Sequence, residues 1–276
     1  MHIQEQIKKY VEYRENLDYI DSILKSAEPG RIFDMIAETL DSQQRAQICT
    51  ANLFIRDVML LTAQVLPESV RTFREGFYAS TLVDALNRNV FAAQSEVRVD
   101  SVYTIGRVGL HNSVGVLLDA FNRYFENDPL FMRRLLFELV RLGDTHKWNL
   151  VEQMAQSAHY LTRWAILSTH LFDSFGRTRN ETDAGLQLRY LELLRQDSEI
   201  FVRNEAAYKL EDFKLSPNVD HLSDLERKNA RRQRDLHAPK ITFDDLAIRF
   251  LNYLFSNQID DYTVSELETF VHQTIH

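Results

Sequence analysis

The sequence predicts an all-α fold made of stacked helical hairpins, and three observations support this prediction. Apolar residues recur at helical intervals along nearly the whole chain. Gly and Pro are sparse, with 8 and 5 among 276 residues, which disfavours a fold of short strands and tight turns. A pattern containing one arginine also recurs four times. Recurrence at this period is typical of helical arrays in which each unit buries its apolar face against a neighbour.

The recurring pattern places an arginine early in an apolar helix and a bulky aliphatic residue seven or eight positions later. The four segments are Ser95–Gly109, Leu130–Gly143, Leu161–Gly176 and Phe201–Phe213. Their arginines are Arg98, Arg133, Arg163 and Arg203, which are 35, 30 and 40 residues apart. The paired aliphatic residues are Ile105, Val140, Leu171 and Leu210.

Residues 1–66 are predicted to form an N-terminal helical cap. Helical periodicity runs from Ile3 to Leu24, and Pro29 with Gly30 is expected to end that helix. Two further helices are predicted at 31–40 and 43–66, the second closed by Pro67. None of the three has the arginine pattern, as expected for helices that cover one end of an array.

Residues 67–213 are predicted to form the repeat array, and local signals set its helix ends. Asp128 can cap a helix that starts at Pro129, because proline needs no hydrogen-bond donor at the first helical position. Gly143 and Gly176 are predicted to stop helices, since glycine readily adopts the left-handed conformation of a C-terminal cap.

The C-terminal part divides into a basic linker with one polar helix, 214–240, and capping helices at 241–276, all within one continuous solenoid. Thr263 and Glu266 are expected to form a capping box. The basic run 227–234 has two interpretations. It either touches nucleic acid or an acidic partner, or it is a solvated helix face opposite the chain's acidic tail, which is the simpler explanation.

The hydrophobic-Arg opening, the small residues Ser101 and Ala206 three positions after the arginine, and the closing Leu or Ile resemble the second helices of HEAT repeats. The resemblance covers roughly 77–213, and armadillo-type repeats are an alternative description. It implies a right-handed α–α superhelix that serves mostly as a protein-binding scaffold. It also implies that the repeat arginines form a polar ladder between units: Arg98, Arg133, Arg163 and Arg203.

The helical wheel gives independent support for such a ladder. Arg98 falls in the middle of the apolar side of its helix. A buried arginine without partners is costly, so it should meet carboxylates or free helix-end carbonyl groups of adjacent units. The nearby acidic candidates are Glu96, Asp128 and Asp197.

Composition restricts the possible functions. A net charge of −8 makes nucleic acid an unfavourable partner, so another protein is expected. The single cysteine, Cys49, excludes an internal disulfide and suits the reducing cytoplasm. The sequence begins without a secretory signal, and no apolar run is long enough to span a membrane.

No metal-binding or nucleophile motif occurs, so no catalytic residue, metal or cofactor is predicted. The alternative to a non-catalytic scaffold is a HEAT-like enzyme, related to DNA glycosylases or bilin lyases.

Positions one, five and nine after each repeat arginine lie on the side of the helix away from the core. In a solenoid these positions are predicted to form a continuous concave track that binds the partner. Its principal residues are Tyr103, Arg107, Arg134, Glu138, Trp164, Ser168, Tyr208 and Asp212.

Overall fold

The computed structural model describes residues 3–14, 16–172, 181–215, 223–236 and 238–275. Over these ranges the chain forms sixteen α-helices and four short 3₁₀ helices, with no strand, which confirms the all-α prediction. The chain divides into two compact units, Met1–Arg123 and Tyr124–His276. The division falls inside the predicted repeat array, and the predicted domain limits remain predictions.

The first unit contains three helices that are followed by three similar helices, after a short N-terminal helix. The predicted helix from Ile3 to Leu24 is interrupted, because the side chain of Asn16 accepts a hydrogen bond from the amide of Tyr19 and starts a new helix. Pro29 begins the next helix instead of ending the previous one. The helices are α1 Ile3–Lys8, α2 Leu17–Leu24, α3 Pro29–Leu40, α4 Arg45–Leu60, α5 Glu68–Phe77, α6 Thr81–Asn89 and α7 Ser95–Val108, with a 3₁₀ helix at Tyr10–Tyr13.

These helices stack in register. Helix α2 packs against α5, α3 against α6, and α4 against α7. Hydrogen bonds join residues 48 positions apart at Asp21 and Ser69, and 49 apart at Asn52 and Ser101. The first unit therefore contains two successive groups of three helices, α2–α4 and α5–α7, that pack helix against helix, and the predicted N-terminal cap at 1–66 remains a prediction.

An aromatic cluster forms the core of the first unit. The ring centroids of Phe33 and Phe73 are 5.0 Å apart, and Phe54 meets Phe73 edge-on at 6.4 Å. A Cβ atom at Gly76 would lie 2.9 Å from the ring of Phe33, so glycine allows α5 to approach α3 closely. Each of these buried rings contributes roughly 2–3 kcal/mol of apolar burial.

The second unit is built from helical hairpins. Helix α9 packs on α11 and α11 on α13, while α10 packs on α12. Side-chain hydrogen bonds between successive hairpins join residues 34 to 36 positions apart, as in Arg163 with Asp197 and Lys147 with Asp183. Helix α8, Val114–Tyr124, spans the division between the units. The helices that lie wholly in the second unit are α9 Pro129–Arg141, α10 Lys147–Ala155, α11 Tyr160–Ala165, α12 Glu181–Leu194, α13 Ile200–Lys214, α14 Asp224–Leu236, α15 Phe243–Ser256 and α16 Val264–Ile275.

Several local signals are confirmed. The Asp128 side chain accepts a hydrogen bond from the amide of Phe131, and Pro129 opens α9. Gly143, just beyond the end of α9, has a φ of +76°. The Thr263 and Glu266 side chains form the predicted capping box. Gly176 lies outside the described residues, and so do 216–222 and 237 of the predicted linker.

The predicted linker does contain a helix, α14, which packs against α13. None of the described helices is both long and apolar enough to cross a lipid bilayer.

Candidate functional site

An arginine on α4 organises the surface that α4 and α7 share in the first unit. The Arg56 guanidinium donates to Asp100 at 2.7 Å and to the Thr104 hydroxyl at 2.6 Å. Its Cζ atom also lies 4.9 Å from the centroid of the Tyr103 ring. A cation over an aromatic face is attracted by the ring quadrupole, so Arg56 holds both the carboxylate and the ring in place.

The same type of contact joins α4 to the N-terminal segment. Arg14, just after the 3₁₀ helix Tyr10–Tyr13, donates through Nε to Asp57 at 3.1 Å, and the Tyr10 hydroxyl donates to the same carboxylate at 3.0 Å. Arg14 and Asp57 are 43 positions apart, and Arg56 and Asp100 are 44 apart. Arg-Asp pairs therefore link α4 to the preceding 3₁₀ segment and to α7. These residues were not among those predicted from the sequence, although the recurrence of an Arg-Asp pair at nearly equal spacing was a detectable signal.

A second ion pair lies on the same surface. The Nε atom of Arg45 is 3.3 Å from a carboxylate oxygen of Glu96. Burial raises the pKa of Glu96, against the opposing charge of Arg45, and Asp100 raises it further. We call the surface formed by Arg45, Arg56, Glu96, Asp100, Tyr103 and Arg107 the α4–α7 face.

Cys49 on α4 is near this face but is not a reactive thiolate. Burial raises the pKa of the thiol, and the carboxylates of Asp100 and Glu96 raise it further. A protonated thiol is a poor nucleophile. In the part of the chain that the structure describes, no group of three or more His, Cys, Asp or Glu side chains lies close enough together to hold a metal ion.

Two residues of the predicted track lie on the α4–α7 face. Tyr103 is half-buried, and a second guanidinium, that of Arg107, lies over its ring with the Cζ atom 6.0 Å from the centroid. Arg107 is exposed. The two side chains therefore form a partly exposed aromatic and cationic surface.

Three of the four repeat arginines make one recurrent contact. The Nη1 atom of Arg98 donates to the carbonyls of Ala92 at 3.0 Å and Ala93 at 2.7 Å, six and five residues earlier. Arg163 and Arg203 contact the carbonyls six and five residues before them in the same way. Each is the fourth residue of its helix. Each arginine thus satisfies carbonyl groups of the loop that leads into its own helix, and we call this contact the loop clamp.

Arg133 is the exception, because it is the fifth residue of α9. It contacts the carboxylate of Asp244 and donates through Nε to the Ser168 hydroxyl at 3.0 Å. Its position one residue later in the helix turns the guanidinium away from the preceding loop and toward α15.

Of the acidic partners predicted for these arginines, Asp197 joins two hairpins. It accepts from Arg163 Nε at 2.6 Å, while its carbonyl accepts from Arg203 at 2.6 Å. Burial alone would raise the pKa of Asp197, but hydrogen bonds from Arg163 and the Glu199 amide outweigh it and lower that pKa. Asp128 instead accepts from Phe131 and Tyr262, and Glu96 pairs with Arg45.

The prediction that Trp164, Ser168 and Glu138 belong to an accessible track is wrong, since all three are buried. Trp164 stacks on Phe201 at 5.4 Å and meets Phe243 of α15 edge-on at 5.5 Å. Ser168 lies beneath the contact of Arg133 with α15.

Glu138 is buried between two arginines on its own helix. Its carboxylate oxygens lie 3.0 Å from Arg134 Nη1 and 3.0 Å from Arg141 Nε. Arg134, another predicted track residue, also lies 5.5 Å from the centroid of Phe137. Both members of this predicted pair therefore take part in contacts within α9.

A buried carboxylate connects α11, α13 and α15. Glu205 accepts from the indole Nε1 of Trp164 at 2.5 Å and from the amide of Phe243 at 3.0 Å. Burial raises the pKa of Glu205 to about 7, against the lowering effects of the Lys209 charge and the two hydrogen bonds. The carboxyl group therefore titrates near neutral pH, at the point where α15 begins.

The remaining predicted residues, Tyr208 and Asp212, lie against α14. The Cζ atom of Arg234 is 5.9 Å from the centroid of Tyr208, and its Nη1 is 3.2 Å from Asp212. In the second unit α15 therefore packs over Trp164, α14 contacts Tyr208 and Asp212, and Arg134 and Glu138 make their contacts within α9. Only the first part of the predicted track, at Tyr103 and Arg107, lies on the α4–α7 face.

Comparison of the chain with known protein families gave no match, and a search of curated protein sequences found no relative.

Proposed function

We propose that this chain is a non-catalytic scaffold that binds another protein through the α4–α7 face, and that its stacked helices form a right-handed superhelix of the HEAT or armadillo type. The observation that carries this proposal is the side-chain arrangement at Tyr103, where guanidinium groups from two adjacent stacked helices, Arg56 of α4 and Arg107 of α7, both lie over one ring. Tyr and Arg are the residue types that most often dominate protein interfaces.

The charge of the face favours a protein partner over nucleic acid. Two of its arginines are paired with carboxylates, Arg45 with Glu96 and Arg56 with Asp100. A phosphate backbone requires a clustered and uncompensated positive surface. A mixed and largely compensated surface suits a partner with both signs of charge. A cytoplasmic location remains part of the proposal, in keeping with the single cysteine.

The repeat arrangement supports a rigid surface. The Arg14–Asp57 pair connects the N-terminal 3₁₀ segment to α4, and Arg56–Asp100 connects α4 to α7, so the side chains around Tyr103 are held by more than their own helix. A partner meeting a preorganised surface loses less conformational entropy on binding. This rigidity is what a binding scaffold requires.

The test uses affinity purification from a lysate of the producing cell, followed by quantitative mass spectrometry. The bait is the whole chain, and the face variant is Tyr103→Ala with Arg107→Ala. Tyr19→Ala with Arg71→Ala is the matched control, since Tyr19 is half-buried on α2 and Arg71 is exposed on α5, so the pair matches the exposure of Tyr103 and Arg107 on other helices. We expect at least one protein to be lost from the face variant by about tenfold or more and retained by the control.

Equal recovery of every captured protein with both double variants would contradict the proposal. Melting temperatures of all baits are measured first, so that a folding defect is not mistaken for lost binding.

A further inference from the structure

The two C-terminal helices enclose a groove outside the α4–α7 face. It lies between α15 and α16 in the second unit and has a volume of ≈ 300 Å³. Its apolar lining is dominated by the aromatic residues Phe250, Tyr253, Tyr262 and Phe270. This volume is at the lower limit of the usual range for ligand clefts, and it suits a few side chains better than a cofactor.

The rings of this groove form a connected and supported floor. Phe250 lies 5.0 Å from Phe270 and 5.1 Å from Tyr262, both with steeply inclined ring planes. The Tyr262 hydroxyl donates to the buried carboxylate of Asp128, which fixes that ring against α9. Tyr253 stacks on Phe250 at 5.9 Å and remains 44% exposed, so it forms the lip of the groove.

The polar lining lies on α16. Glu266, Thr269 and Gln273 are exposed and line the opposite edge of the groove from Tyr253. Thr269 and Gln273 are one helical turn apart, so their side chains lie on one side of α16. Hydrogen bonds from the amide and hydroxyl of Thr263 lower the pKa of Glu266, so its carboxylate is ionised at neutral pH.

The charge around the groove is mainly acidic. Glu266 lines the groove, and the exposed residues Asp260 and Asp261 lie between the lining residues Ile259 and Tyr262. Arg249 on α15 is exposed one turn before Tyr253, so the net charge of this set is negative. An acidic rim repels acidic peptides, nucleic acid and anionic lipid, and it attracts a segment that carries lysine or arginine.

We propose that the α15–α16 groove binds a short basic amphipathic helix of a partner protein. Apolar side chains one turn apart on that helix would contact Phe250, Tyr253 and Phe270, and its flanking Lys or Arg side chains would meet the acidic rim. The inference goes beyond the proposed function, because it assigns a second site on other helices and a chemical class of partner to it.

The test measures fluorescence polarisation of labelled synthetic peptides with the full chain. One peptide carries Leu at i, i+4 and i+7 with Lys elsewhere. A second replaces every Lys by Glu, and a third has the composition of the first in an order without an apolar face. We expect the first to bind at least about tenfold more tightly than the other two.

Variants locate the binding. Thr269→Arg fills the groove and adds a positive charge, so we expect at least about a tenfold loss of affinity for the basic peptide. His272→Arg is the matched control, because it adds the same charge on an exposed position of α16 outside the groove lining. Glu266→Gln keeps a capping side chain but removes the charge, and it should weaken binding about threefold or more.

The proposal is overturned if the basic peptide shows no preference over its acidic counterpart, or if Thr269→Arg and His272→Arg bind it equally. It is also overturned if sedimentation shows that the groove joins two copies of the chain and Thr269→Arg separates them. The Tyr103→Ala with Arg107→Ala variant should bind the peptide like the wild type, so that failure of this site is distinguished from failure of the α4–α7 face.

Discussion

Tyr103 in the first unit and Trp164 in the second both belong to the predicted track, five and one positions after their repeat arginines, but their surroundings differ. Tyr103 is half-buried, and the guanidinium groups of Arg56 and Arg107 both lie near its ring. Trp164 is fully buried beneath Phe243 and donates to the buried carboxylate of Glu205. Residues predicted to lie on one accessible track are therefore partly exposed in one unit and part of the core in the other.

The difference follows from the architecture of each unit. In the first unit, side-chain hydrogen bonds between stacked segments join residues 47 to 49 positions apart in the sequence. In the second unit, such bonds between hairpins join residues 34 to 36 positions apart. Two later helices of the chain, α14 and α15, also pack against the second helices of those hairpins. An aromatic residue on such a face is thus informative about binding only once the segments that pack over it are known.

The largest expected effect is a loss of stability when the buried residue Trp164 is replaced. Trp164→Ala should destabilise the second unit by about 3–5 kcal/mol, because it leaves a large cavity and removes a donor to Glu205. Tyr103→Ala should cost about 1 kcal/mol or less, as expected for a side chain at the surface. Urea denaturation followed by circular dichroism measures both, and the fluorescence of Trp148 gives a second probe of the second unit. Equal losses of unfolding free energy for Trp164→Ala and Tyr103→Ala would show that the two positions do not differ in burial.

The loop clamp is common to both units and provides the next comparison. Arg98→Met and Arg163→Met should each lower the free energy of unfolding by about 1–3 kcal/mol, since the buried loop carbonyls lose their donor. Arg88→Met is the control, because the Arg88–Asp41 ion pair is exposed and should contribute less than about 1 kcal/mol. Denaturation midpoints that do not separate the clamp variants from Arg88→Met would contradict the clamp.

The pH dependence at Glu205 is expected to be smaller but specific. Since the folded-state pKa of Glu205 is raised to about 7, the folded protein binds more protons than the unfolded chain between the ordinary glutamate pKa and that value. Its contribution to stability is therefore fully present at low pH and is lost as pH rises through about 7. The slope attributable to this group is at most about 1.4 kcal/mol per pH unit.

The variant Glu205→Gln isolates that contribution, because the amide oxygen can still accept from Trp164 and Phe243 but does not ionise. The stability difference between wild type and variant, measured from pH 4 to pH 9, should change with pH below about 7 and become constant above it. A difference that is independent of pH would show that Glu205 does not titrate in this range.

Local features of the fold could be predicted from the sequence, and features made by distant segments could not. Asp128, Pro129 and Gly143 act through hydrogen bonds and backbone conformation within a few residues, so their pattern was sufficient. The arginine pattern predicted carbonyl groups of adjacent units as partners, whereas the loop clamp uses carbonyls five and six residues before each arginine. The one-residue shift of Arg133 changed its partners to α11 and α15.

The site was harder to predict, because burial depends on what packs against a helix. The wheel placed Trp164 correctly on the side away from its own repeat core, but Phe243 comes from 79 positions later and covers it. The Arg56 contact with Tyr103 was missed for a related reason. The recurring arginine pattern starts at Arg98 on α7, so it does not include Arg56 on α4.

Photo-crosslinking tests most directly whether the α4–α7 face is open for a partner while the corresponding face of the second unit is covered. Benzoylphenylalanine replaces Tyr103, Tyr208 or, as a control on α2, Tyr19 in otherwise identical chains, which are irradiated in a lysate of the producing cell and analysed by mass spectrometry. At Tyr208 we expect crosslinks within the chain, to α14 around Arg234. At Tyr103 we expect a crosslink to another protein that the Tyr19 position does not give. An absence of any such intermolecular product at Tyr103, or the same product at Tyr19, would contradict the proposed binding face.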